Sequence, residues 1–385
     1  MAHALLLALW LTAPAPPGCR AQAQAAVTDL LTHFWTGEPA TGQIVNTWHG
    51  YAEVPLPDAR GALWERAMLY LTLADAWRLT SDETVRQRLA ADWSRTKRLY
   101  TPRQLEACGQ RSGTNWAADD AGWSALMYLA AHRATGDPEA LARARGLVKA
   151  AFDRWGDDRL GGGLWYSDKR DVKSLYQTAL VLAALETGDP DLGARALACY
   201  DWLEAHLRRP DGLYWCDLDA AGPRGANRPD DIHEAGSVVF LGGAMAMGVL
   251  HARRFAATGD DQYRLRAIRC AEAVRRKLTT AEGVLIDDRD AWTNGVFAGD
   301  WAREVLILPG LGPEPAAVLR ATAESIATRA RTAEGYYGAS WSGPAEGEGS
   351  AWWRGGSRPR QIMTSASAVH FIVAAALAPA AGPGP

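Results

Sequence analysis

The sequence predicts an all-α fold, an (α/α)6 barrel in which six inner helices are wrapped by six outer ones, and three observations lead there. One turn recurs: Leu79-Thr80-Ser81-Asp82, Ala134-Thr135-Gly136-Asp137, Glu186-Thr187-Gly188-Asp189 and Ala257-Thr258-Gly259-Asp260 each close one helical pattern and open the next. Gly past a helix end and Asp at the following N-cap are the residues such a turn needs. Segments before the turns are apolar nearly all round, as buried helices are, whereas those after them confine apolar residues to one stripe among Arg and Glu. No region reads as strand-rich, so buried and surface helices alternate and close into a toroid of hairpins. An open solenoid of helix pairs fits the same pattern and is the alternative.

Taken in order, 25–35 serves as the first outer helix. The apolar run 67–77 is the first inner helix and ends at Thr80-Ser81-Asp82, after which 85–98 carries the single stripe of an outer one. The pairs 121–134 with 139–154, 175–185 with 191–207, and 237–250 with 262–278 repeat that arrangement across the other turns. Two more inner helices fall at 295–308 and 364–377, with an outer one at 314–331. Turns from inner to outer helix take roughly three to six residues, but the returns, such as 100–117, 155–172 and 210–234, are far longer. Long loops therefore gather at the end where inner helices begin. They bring Trp116, Trp155, Trp165, Trp215, Trp292, Trp341, Trp352 and Trp353 there, and loops on a rigid scaffold are where sites usually sit.

The 385 residues are 48% apolar and 22% charged, enough to bury a large core. With 41 basic against 44 acidic residues, a net charge of -3 and no Lys/Arg-rich run, little could neutralise a phosphate backbone, which argues against nucleic acid as a partner. Tryptophan is in excess, 17 against 6 Phe, and flat rings with a polar N–H suit an open carbohydrate cleft. Residues 4–12 are apolar but too short a run to span a bilayer, and Pro14 to Pro17 and the small-residue run Ala21-Gln22-Ala23 follow. This reads as a signal peptide over 1–24, ahead of a single domain over 25–377 and a flexible tail over 378–385. A secreted or periplasmic protein without membrane insertion is expected; a buried core segment is the other reading of the leader. Cys19 after Pro17-Gly18 only faintly resembles a lipoprotein attachment site. Cys108, Cys199, Cys216 and Cys270 form no CxxC pair, so no zinc or other metal site is expected. They are either buried free thiols or one or two disulfides.

Among the Asp pairs, Asp119-Asp120 stands at the start of a buried inner helix, in Asn115-Trp116-Ala117-Ala118-Asp119-Asp120-Ala121-Gly122-Trp123. Carboxyl groups on neighbouring helical residues can lie about 5 to 6 Å apart, near the separation used in retaining glycoside hydrolysis. The helix N-terminus favours one anion as nucleophile, while repulsion and burial raise the other's apparent pKa so that it can protonate a leaving oxygen. Trp116 and Trp123 share the helical face of Asp120 and would add an aromatic wall. Capping by Asp119, with Asp120 in the first turn, explains the pair without catalysis. Trp165 and Tyr166 follow Gly161 to Gly163, whose freedom lets the backbone turn beneath a ligand, and are expected to line sugar subsites. His233 and Glu234, after Asp230-Asp231 at the mouth of the fourth inner helix, either bind sugar hydroxyls or are merely solvated. Asp157-Asp158, Asp260-Asp261 and Asp287-Asp288 read as turn and cap residues. No GxSxG, HExxH, phosphate-loop or EF-hand motif supports a serine hydrolase, zincin, nucleotide or calcium reading.

The helix start Asp119-Asp120-Ala121-Gly122-Trp123, Trp155-Gly156-Asp157 with Gly161-Gly162-Gly163-Leu164-Trp165-Tyr166, Lys173 at the opening of the next helix, the Thr-Gly-Asp turns and Gln361-Ile362-Met363-Thr364-Ser365 together resemble glycoside hydrolase family 76, over about 25–377. The resemblance implies an α-1,6-mannanase of (α/α)6 fold that cleaves with retention, with Asp119 as nucleophile, Asp120 as general acid/base, Lys173 in the sugar cleft, and no metal or organic cofactor. Its partner would be a poly- or oligosaccharide of α-mannan type, met by a monomer. The chain departs from the family pattern twice. Ser174, Leu175, Tyr176 and Gln177 follow Lys173 where the family has Asn and then Asn-Glu, and His233-Glu234-Ala235-Gly236 stands where it has Tyr-Asn-Gln-Gly. Sugar and linkage are left open by these changes, for which His233 and Glu234 would supply replacement hydrogen bonds. Transglycosylation, in which a sugar hydroxyl intercepts the glycosyl-enzyme, and a non-catalytic glycan-binding barrel are the alternatives.

Overall fold

The computed structural model describes residues 17–45, 48–49, 52–53, 63–100, 117–224, 241–286, 295–338, 340–345 and 362–379, and twelve α-helices lie among them. The outer set is α1 (Pro17–Phe34), α3 (Glu83–Leu99), α5 (Pro138–Trp155), α7 (Pro190–His206), α9 (Asp261–Lys277) and α11 (Glu314–Arg329). The inner set is α2 (Leu63–Thr80), α4 (Ala118–Thr135), α6 (Thr178–Glu186), α8 (Leu241–Thr258), α10 (Ala298–Asp300) and α12 (Ile362–Leu377). Burial separates the two sets as the patterns require. Every residue of α12 from Ile362 to Ala376 is buried, whereas α9 buries one stripe of Ala267, Cys270, Ala271, Ala273 and Val274. First and last hairpins meet: Thr72 of α2 donates to the Ala366 carbonyl of α12 (3.1 Å), and Arg331 just past α11 pairs with Asp29 of α1 (2.8 Å). The helices therefore form a closed (α/α)6 toroid, not an open solenoid.

Each recurring turn is built from its own residues. Hydroxyls of Thr80, Thr135 and Thr258 donate to the carbonyl four residues back (2.8, 2.7 and 2.7 Å) and accept the amide of the Asp two residues on (3.2, 3.1 and 3.2 Å). That Asp then caps the next helix. Asp82, Asp137, Asp189 and Asp260 accept from the amides of Thr84, Glu139, Asp191 and Gln262 at 2.8, 3.0, 3.0 and 3.0 Å. Between Thr and Asp the chain turns left-handed, with φ of 71°, 65° and 70° at Gly136, Gly188 and Gly259 and 56° at Ser81. A Cβ in that conformation costs roughly 1 kcal/mol, so Ser81→Gly should raise the unfolding free energy by about 0.5–1 kcal/mol. An unchanged or lower urea midpoint would show that the Ser81 side chain stabilises the turn in some other way.

Two boundaries differ from expectation. The first outer helix begins at Pro17 and not at 25, because Pro suits the first helical position and Arg20-Ala21-Gln22-Ala23 are helix formers. Ala23 is buried and Gln22 donates to Glu324 of α11 (2.9 Å), so position 24 falls inside α1; residues 1–16 lie outside the described residues. The fifth inner helix is short, entered through a 3-10 turn at Gly295–Phe297 and left through a π turn at Trp301–Val305. Its backbone crosses so close to α2 that a Cβ on Gly299 would collide with the Asp75 carboxylate.

Toward their C-terminal ends the inner helices are joined by paired charges, buried at Asp75 and His370 and partly exposed elsewhere. Arg133 of α4 and Arg253 of α8 hold Glu186 of α6 (2.7 and 2.8 Å), and Arg253 also reaches Glu304 after α10 (2.9 Å). Arg303 connects Asp300 to Asp75 of α2 (2.9 Å to Asp75), whose other oxygen lies 2.8 Å from His370 of α12. Burial alone would raise these carboxyls, but the guanidinium groups hold Glu186 at about 2 and Asp75 well below the usual carboxylate range. All six inner helices contribute, and because unpairing the buried Asp75 is costly, the belt braces the end opposite the long loops.

Short strands occupy the rest. β1 (Trp35–Thr36) pairs with β2 (Gln43–Ile44), β3 (Trp48–His49) pairs with β4 (Ala52–Glu53), and β5 (Lys173–Ser174), β6 (Asp217–Asp219) and β7 (Gly222–Arg224) form an antiparallel sheet. Cys19, Cys199, Cys216 and Cys270 are free thiols, the last three buried, and Cys108 lies outside the described residues. No helix among the described residues is long and apolar enough to cross a membrane.

Candidate active site

A second repeat builds the long-loop end. After α5, α7, α9 and α11 the chain makes a short hairpin, bridged at Gly156 with Leu164, Arg208 with Tyr214, Thr279 with Leu285 and Arg331 with Tyr337. Three of the tips, Asp211-Gly212, Glu282-Gly283 and Glu334-Gly335, turn through a left-handed Gly with φ of 93°, 78° and 91°. Acidic-Gly-apolar triplets are the trace of this repeat in the sequence; strands so short leave no period-2 pattern to read.

The first hairpin supports the acid pair. Its returning strand, 164–167, runs past the start of α4, where the Tyr166 carbonyl accepts from the Ala118 amide (2.8 Å) and Ser167 pairs with Ala117. Asp119 and Asp120 follow at the second and third positions of α4, Asp119 half-buried and Asp120 only 6% exposed. Asp119 Oδ1 accepts from the Asp120 amide (3.0 Å), and Asp120 Oδ2 accepts from the Ala117 amide (3.3 Å). Ala117 is the N-cap, so capping by Asp119 does not account for the pair, although Asp120 turns one oxygen back onto the helix start. The arrangement sets a half-buried carboxyl group beside a buried one, both in the helix turn whose dipole favours negative charge.

Of the aromatic residues expected at the cleft, Tyr166 is half-buried, with its ring 6.0 Å from that of Tyr176. Trp123 and Trp165 are instead interior, at 1% and 4% exposure. Trp123 packs on Phe297 (5.0 Å between rings), closing the barrel one turn below Asp120, and the Trp165 indole donates to Asp157 (2.7 Å). Lys173 is also buried rather than open to a sugar: its three N–H donors are shared among the carbonyls of Asp157 (3.3 Å), Arg159 (2.5 Å), Gly162 and Gly163 (3.4 Å) and Asp157 Oδ1 (3.2 Å). A loop that wraps its own carbonyls around a cation and packs a ring beside it satisfies both groups internally. Burial lowers the Lys173 ammonium from the ordinary lysine value, against the pull of Asp157. Burial would raise Asp157, but donors from Trp165, Arg159 and Lys173 hold it well below the usual carboxylate range.

Two of the departures after Lys173 also prove internal. Ser174 donates to the Cys216 carbonyl (3.2 Å), and Gln177 accepts from the Leu164 amide (3.0 Å) and donates to the Ser174 carbonyl (2.9 Å), joining the first hairpin to the start of α6. Asp217, opposite Ser174 on β6 and half-buried, is an acid at this end that the sequence hides inside a long return loop. Trp116, His233 and Glu234 lie outside the described residues.

A closed toroid of six helical hairpins is the architecture of the six-hairpin glycosidases. The chain belongs to glycosyl hydrolase family 76, whose profile matches residues 19–382. Among solved structures it resembles an α-1,6-mannanase from Salegentibacter sp. HEL1_6 at 20% identity, over 93% of this chain and 99% of that one, with a TM-score of 0.70. It also resembles a family 76 mannosidase from Bacteroides thetaiotaomicron VPI-5482 (13% identity, 94% and 98% covered, TM-score 0.66). A third likeness is to an unsaturated glucuronyl hydrolase specific for heparin (13%, 93% and 96%, TM-score 0.65). At these identities the likeness is one of fold, and the fold serves more than one chemistry. No protein of curated function matches the chain in sequence.

Proposed function

We propose that this glycoside hydrolase cleaves α-mannosidic bonds, α-1,6 bonds foremost, with retention of configuration. The observation that supports it best is Asp119 and Asp120 side by side at the long-loop end of α4, one half-open and one nearly enclosed. A variant of the Salegentibacter enzyme in which two consecutive Asp are replaced by Asn is inactive and binds α-1,6-mannotriose. Here Asp119 attacks the anomeric carbon as the glycosidic bond breaks and Asp120 gives its proton to the leaving oxygen; water then displaces Asp119 after losing a proton to Asp120. A polysaccharide does not cross a membrane unaided, so a secreted or periplasmic location accompanies this reading.

Digestion of unbranched α-1,6-mannan is expected to release reducing ends. Proton NMR should find the α-anomer first, since adjacent acids leave little room for an inverting water. Early accumulation of the β-anomer would exclude the double displacement. Release from other α-glycans but not from this one would exclude the linkage.

A further inference from the structure

We propose that Lys173 is a positioning residue that sets the geometry of the Asp119-Asp120 pair through the first hairpin, not a ligand of the sugar; the inference rests on the glycosidase reading for its kinetic arm only. The cage around its ammonium is made by backbone in an unusual state. Leu160, Gly161, Gly162 and Gly163 all have positive φ, at 54°, 81°, 111° and 72°, a run that turns carbonyls inward and that non-Gly residues resist. Within the loop only Asp157, Asp158 and Arg159 accept from its own amides, and the inward-turned carbonyls of Asp157, Arg159, Gly162 and Gly163 converge on the Lys173 ammonium.

The surroundings hold the cage closed on both sides. The ammonium lies 4.8 Å from the Trp165 ring and 5.8 Å from that of Trp202. Trp202 donates to the Leu160 carbonyl (2.8 Å) and lies so close under Gly163 that a Cβ there would strike the indole. From the cage the chain runs directly to the acids: Leu164 and Trp165 leave Gly163, Tyr166 accepts from Ala118, and Asp119 is the next residue of α4. Lys173 is also bridged to Trp165, so its backbone holds the returning strand while its side chain holds the loop that leads into it. Removing the charge takes the shared donor from the carbonyls of Asp157, Arg159, Gly162 and Gly163, and the loop must shift to satisfy them with water. The strand under Ala117 and Ala118 then loses its anchor, and displacements near 1 Å at reacting groups cost about a hundredfold in rate.

The test compares Lys173→Met with wild type in two measurements. Turnover of an α-1,6-linked manno-oligosaccharide should fall ten- to a hundredfold with KM within threefold, because bound sugar is still held but the acids are misaligned. Amide hydrogen exchange should speed at least tenfold at Ala118 and Tyr166 and stay unchanged in α9 and α11. A raised KM with unchanged kcat would make Lys173 a sugar ligand and overturn the proposal. So would unchanged exchange at Ala118, or exchange that accelerates everywhere, which marks a general loss of stability. If Lys173→Met does not fold, Asp157→Asn, which weakens the cage at its half-exposed edge, gives the same comparison. A wild type that cleaves no mannan would sink the proposed function, and the exchange comparison would still decide the role of Lys173.

Discussion

Asp119→Asn and Asp120→Asn are each expected to lower turnover on α-1,6-mannan at least a hundredfold while leaving the fold intact, since one change removes the nucleophile and the other the proton donor. The structure makes the fold part of this expectation specific. An amide oxygen at position 120 can still accept from the Ala117 amide, and one at 119 can still accept from the Asp120 amide, so helix α4 keeps its start. Thermal midpoints near that of the wild type should accompany the lost rate. Should either variant keep more than about a tenth of wild-type activity, that residue is not the nucleophile or the proton donor assigned to it.

The second large effect concerns acid. His251 of α8 is wholly buried, with Nδ1 2.8 Å from the Tyr200 hydroxyl and Nε2 2.7 Å from that of Tyr214. Tyr214 donates to Glu204 (2.5 Å) and so accepts from Nε2–H, while Tyr200 donates to Nδ1, which makes the network that of a neutral imidazole. Burial, with Arg266 and Arg208 nearby, lowers the pKa of His251 to about 3, although Glu204 lies 3.4 Å away. Burial raises Glu204 itself, so it supports an imidazolium charge less than an exposed carboxylate would. The unfolded chain takes up a proton near pH 6.5 that the folded chain refuses until about pH 3, so stability falls as pH falls through that window.

Carboxylates with depressed pKa values, such as Asp137 at about 2 and Glu186 at about 2, lose their contribution only below the ordinary carboxylate range. Glu204 and Glu304, which burial raises, act with the opposite sign; a comparison with His251→Gln removes Glu304 from the difference, whereas Glu204, 3.4 Å from His251, is coupled to it, so the difference reports the pair. Urea unfolding at pH 7 and 5 should show wild type losing about 2 kcal/mol more than His251→Gln over that interval. Parallel profiles would mean that His251 is protonated in the native state.

Helix order, turns and caps were open to reading because each rests on interactions within about five residues. Thr135, Gly136 and Asp137 satisfy one another and the two helix ends they join, and the same local logic placed Asp119-Asp120 at the head of a buried helix. Pro17 shows the limit of that logic, since a proline among small residues suits both a leader's end and a helix's first turn. Tertiary structure alone decided which way the cleft residues face. Trp165 and Lys173 lie beside three glycines, as a sugar site would have them, yet they turn inward because Asp157, Trp202 and carbonyls from 157 to 163 converge on one ammonium. That convergence needs four successive positive-φ residues and a ring from α7, and ring closure needs Thr72 to meet Ala366. Both are contacts between segments far apart in the chain, whose free energy comes from partners that no stretch of neighbouring residues contains.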